Sequence, residues 1–138
     1  MSDNSLWGDL SDLAPERTPF LVLQEQANYL QGATNEILAG RVRREMTGIA
    51  REGGARRVHA SLQVVAPALQ HYYVELLQLS YDASVLYPVH VRDSFSGEAL
   101  DVFSEDELRE LLRGILTSDA VRTILANLIS ESQFSQKA

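Results

Sequence analysis

The chain has 138 residues, a formal net charge of −7, 45% hydrophobic and 22% charged residues, and no cysteine. This fits one soluble domain that buries its core without a disulfide or metal staple, and it excludes thiol nucleophiles and thiolate metal ligands. The acidic start "MSDNSLWGDLSDLAPER" lacks the basic end and apolar run of a signal peptide, and no stretch holds the roughly 18 apolar residues of a membrane span, so a cytoplasmic protein without membrane contact is expected.

Residues 1–17 are expected to form a flexible acidic tail, residues 18–132 a single α+β domain, and residues 133–138 a second flexible tail. Trp7 and Leu10 form an apolar pair in the first tail that docks on the domain itself or on a partner. A helix is predicted from Thr18, a good N-cap, with Pro19 at the first helical position. Leu23, Ala27, Leu30, Thr34 and Ile37 form its apolar stripe, and Gly40 is placed to end it. Gly32 costs about 1 kcal/mol in a helix interior, which close packing on a sheet would explain.

The period then changes to two. "VRREMTGIA" and "ARRVHASLQVVAP" flank Gly53-Gly54 and read as a hairpin. Val58, Ala60, Leu62 and Val64 alternate with His59, Ser61 and Gln63, as a half-buried strand does. A third strand is read in "HYYVELLQLSYD" and a fourth in "VLYPVHVRD", where Pro88 argues for a sheet edge. Helical periodicity returns at Ser104, which opens a capping box with Glu107. Leu108, Leu111, Leu112 and Ile115 form one stripe, and Val121, Ile124, Leu125, Leu128 and Ile129 a second. The predicted architecture is α+β: an N-terminal helix, a four-stranded antiparallel meander and two C-terminal helices, in two layers with the helices on one face of the sheet.

The third strand is apolar on both registers. Tyr73, Leu77 and Leu79 fall on one, and Tyr72, Val74 and Leu76 on the other. With helices on one face only, the set Tyr72, Val74 and Leu76 is expected to be an exposed apolar surface that a second copy covers, making a homodimer.

Charge is segregated. Residues 41–57 hold six arginines (Arg41, Arg43, Arg44, Arg51, Arg56 and Arg57) against two glutamates, a net of +4. Residues 98–110 hold six acids against Arg109, a net of −5. The arginines guard an edge strand against aggregation, bind an acidic protein partner, or bind phosphates of nucleic acid. Nucleic acid is the weaker choice, because lysine is nearly absent and the tyrosines fall outside the basic segment.

Nothing points to catalysis. His59, His71 and His90 form no HxH or HExxH motif, and no GxSxG, P-loop or GxGxxG pattern is present. The acids around Asp106 sit at a helix start, where capping and the helix dipole explain them. No metal, cofactor or catalytic residue is assigned. The expectation is a non-enzymatic protein-interaction module of the chaperone, adaptor or immunity kind, homodimeric, using the sheet and the arginine hairpin. A nucleic-acid regulator using the same arginines is the alternative. A further alternative is a ligand-binding domain or enzyme with a pocket between helices and sheet near His59, Tyr73 and His90.

Overall fold

The computed structural model describes residues 6–13, 17–47 and 56–137. Its elements run α1 (Pro19–Ala33), β1 (Ala39–Thr47), β2 (Arg57–Ala66), β3 (Tyr72–Asp82), β4 (Val89–Asp93), β5 (Ala99–Val102), α2 (Glu105–Leu116) and α3 (Asp119–Lys137). The described strands form one antiparallel sheet in the order β1-β2-β3-β4-β5. The α+β class, the meander and the one-sided helical layer are as the sequence predicts. The sheet has five strands rather than four. Residues 99–102 complete it immediately before the capping box, with Val89 opposite Val102 and Val91 opposite Leu100. β4 is therefore an interior strand, and Pro88 precedes it, where no ladder hydrogen bond is needed from it.

The start of α1 is set by its cap: Leu21 N–H donates to Thr18 Oγ1 at 3.2 Å. The helix ends at Ala33, earlier than its apolar stripe implies, because Asn35 and Glu36 take positive φ. Gly40 is not a helix terminus. It lies in β1 beneath α1, where an added Cβ would come within 2.7 Å of the Ala27 Cβ and closer to the Ala27 backbone. At Gly32 an added Cβ would meet nothing within 4 Å, so packing does not account for that glycine. α2 begins as read: Glu107 N–H donates to Ser104 Oγ at 3.2 Å, and Phe103 N–H to Glu107 Oε2 at 2.9 Å. α3 continues to Lys137, through most of the segment expected to be a tail. Trp7 and Leu10 are largely exposed. Among the described residues, no helix is long and apolar enough to cross a membrane.

The core lies between the sheet and the helices. Val22, Leu23 and Ala27 of α1, Leu108, Leu112 and Ile115 of α2, and Val121 and Leu128 of α3 close over Val58, Ala60, Leu62 and Val64 of β2. A β-bulge resolves the two-sided pattern of β3. Leu62 pairs with Leu77 but Gln63 pairs with Glu75, which leaves Leu76 as the extra residue. One extra residue reverses the parity of everything before it. Tyr72 and Val74 therefore share the helix-side register of Leu77, Leu79 and Tyr81, and Leu76 is buried in the same core. The apolar outer face that motivated a dimer through Tyr72, Val74 and Leu76 does not form. Only Tyr72, at the strand end, is substantially exposed.

Candidate functional site

Strand alternation sends the polar residues of the sheet to the face without helices. The register builds that face in rows. One row reads Arg43–Ser61–Gln78–Arg92–Ala99 from β1 to β5, and the next reads Glu45–His59–Ser80–His90–Asp101. The members of both rows on β1 to β4, together with Gln63, Tyr73 and Glu75, line a groove of about 700 Å³. His59, Tyr73 and His90, singled out from the sequence, do meet in one groove. It is not between helices and sheet but on the opposite face, because all three share the outward register.

The basic segment does not form a single patch. Arg41 donates from Nε to the buried Gln63 Oε1 at 2.8 Å, and its guanidinium lies 4.9 Å from the Tyr73 ring centroid. Arg44 has the opposite parity, on the helix side, 4.5 Å from the Phe20 ring centroid. Arg57 donates to Ser80 Oγ at 3.1 Å. Arg56 is exposed just before β2. Arg51 and the predicted glycine turn lie outside the described residues. Arg43 is exposed on the groove side and has no hydrogen bond or ion pair among the described residues. Arg92, not singled out from the sequence, is in the same condition on β4 in the same row. Its signal was parity alone: it has the outward register of His90 two residues away.

The histidines are held from outside the groove centre. His59 Nε2 lies 2.8 Å from Thr47 Oγ1, and His90 Nδ1 donates to Asp101 Oδ1 at 2.9 Å. Asp101, His90 and Ser80 thus follow the order of a hydrolytic triad. The chemistry is not built, however: Ser80 Oγ is bonded by Arg57, the His90 and Asp101 side chains are about half exposed, and no Ser80–His90 bond occurs among the described residues. His71 sits exposed in the turn before β3. Glu75 accepts from Gln78 at 2.6 Å, and Asp93 accepts from the Phe95 N–H at 2.8 Å.

The acidic cluster is structural. Arg109 bridges Glu105 at 2.8 Å and Glu25 at 3.1 Å, tying α2 to α1, and both carboxylates hold its pKa above the usual arginine value. Arg17 joins the same Glu25 at 2.6 Å. No group of three or more metal-ligating side chains converges among the described residues. No protein-family model matches the chain, and no curated protein or solved structure shows significant similarity to it.

Proposed function

We propose that this chain is a non-enzymatic protein-interaction module that takes an acidic, extended segment of a partner protein along the β1 edge. The observation that carries this reading is the edge itself. β1 is nine residues long, pairs among the described residues only on its β2 side, and is exposed at every residue from Arg43 to Thr47. An edge strand offers unpaired N–H and C=O groups that an incoming strand can satisfy, with side-chain pairs setting specificity. Here Arg41 and Arg43 on the outer face and Arg44 on the helix face favour acids on the incoming strand, while half-buried Val42 and half-exposed Met46 favour apolar neighbours. A cytoplasmic setting accords with a chain that has no cysteine.

Arg44 lies on the helix side, and Arg41 and Arg57 are held by Gln63 and Ser80, which favours a strand-shaped partner over a nucleic-acid backbone, whose phosphates need several free cations on one surface. The test is a pull-down from source-cell lysate, with and without nuclease, comparing wild type with Arg43→Glu/Arg56→Glu. A nuclease-resistant protein retained by the wild type and lost in the variant is the expected result. Recovery of nuclease-sensitive material alone would move the arginines to a nucleic-acid role. Solution mass across concentration tests a second copy of the chain as that partner, and a monomer throughout would remove it.

A further inference from the structure

We propose that the centre of the helix-free face binds a small phosphorylated molecule, clamped between Arg43 of β1 and Arg92 of β4. Four arginines face this side of the sheet: Arg41, Arg43, Arg57 and Arg92. Arg41 is committed to Gln63 and Tyr73, and Arg57 to Ser80. Arg43 and Arg92 are the two without a partner among the described residues, and they stand in a single row, on β1 and β4. Between them lie only Ser61 and Gln78. Three strand spacings separate their backbones, about 14 Å, a span that two extended arginine side chains turned toward each other can close. A guanidinium offers a planar fork of donors that matches phosphate oxygens two at a time. Two forks, with the Ser61 hydroxyl beneath, form a donor set suited to a tetrahedral anion.

The surroundings favour a small ligand over a long polyanion. In the adjacent row, His59 and His90 flank Ser80 at the centre, and the acids sit at the ends, Glu45 on β1 and Asp101 on β5. A single phosphate fits inside that rim, whereas a chain of phosphates crossing the sheet meets a carboxylate at either side. The net charge of −7 opposes polyanions as well. Glu75 also lines the groove, but Gln78 and Ser94 donate to it and hold its carboxylate. The groove volume of about 700 Å³ lies within the usual range for small-molecule sites, roughly 300–1,000 Å³.

The experiment is an NMR titration of the full chain with inorganic phosphate and pyrophosphate at low ionic strength. It compares wild type, Arg43→Gln, Arg92→Gln and, as a control on α3, Arg122→Gln. Shifts centred on Arg43, Ser61, Gln78 and Arg92 are expected, with affinity weakened at least about tenfold by either groove variant and unchanged by Arg122→Gln. The same spectra confirm that each variant folds. No localised shifts, or an equal loss in Arg122→Gln, overturns the proposal. Arg92 lies three strands from the β1 edge, so phosphate binding lost in Arg92→Gln while partner capture persists separates this site from the edge.

Discussion

Gly40 and Gly32 are the same residue type under opposite constraints. At Gly40 the β1 backbone passes against Ala27, and a Cβ would collide with a helix backbone that cannot swing aside. Gly40→Ala is expected to cost about 1–3 kcal/mol, as overpacking in a tight core does. At Gly32 an added methyl meets open space within α1, so Gly32→Ala is expected to gain about 0.5–1 kcal/mol from helix propensity. Urea unfolding of both variants checks the pair, and a stabilised Gly40→Ala would mean that β1 does not run beneath α1. Tyr81 makes the next residue-scale prediction. It is 2% exposed, and its hydroxyl meets the Phe20 backbone and the Thr18 side chain at the start of α1. Burial pushes its pKa above the ordinary value of 10.0. An unfolded chain therefore ionises this tyrosine first as pH rises. Its contribution is complete below pH 10 and is lost as pH climbs from there through the folded value. Tyr81→Phe is expected to lose about 1 kcal/mol at pH 7. It is also expected to show a shallower decline in stability above pH 10 than wild type, measured by urea unfolding across that range.

At the scale of elements, start signals were legible and parity was not. The caps at Thr18 and Ser104 are local chemistry: a side-chain oxygen takes an N–H that the helix leaves unpaired. Both stand where the sequence places them. Ser104→Ala is therefore expected to cost about 1 kcal/mol, with Ser104→Asp retaining most of it, read from thermal unfolding. The bulge at Leu76 has no local signature, because it exists only in the pairing of β2 with β3. Without it, "YYVELLQL" reads as a strand apolar on both sides, with an outer set Tyr72, Val74 and Leu76 that the bulge instead places on the core side. β5 carries no periodic signal for another reason. Four residues are too few to show a period, and three of them are exposed. The groove was legible only in part. The outward register of His59 and His90 follows from alternation within each strand. The shared row of Arg43 and Arg92 depends on registers across three ladders, none of which the sequence states.

Across the whole molecule, protection and exposure separate along the sheet. β2 is paired along its length on both sides and buries every residue from Leu62 to Ala66. β3 adds Leu76, Leu77, Leu79 and Tyr81 to the same core. The two outer strands are kept from indiscriminate pairing by different means. β1 carries arginines, while β5 is short and bears Asp101. Local opening is least costly where few apolar groups are buried and only one ladder holds the strand. Hydrogen exchange is therefore expected to divide the sheet. Amides of Leu62, Val64, Leu77 and Leu79 should exchange only through global unfolding, with protection matching the stability measured by denaturant. Amides of Leu100 and Val102 should exchange through local opening at a free energy lower by on the order of a few kcal/mol, and their rates should change little in Gly40→Ala. That variant strains the α1–β1 contact at the far edge and lowers the global limit alone. If β5 were as protected as β2 and lost protection in step with it, the sheet would open as one unit, and the short acidic edge would owe its order to the whole core rather than to the β4 ladder.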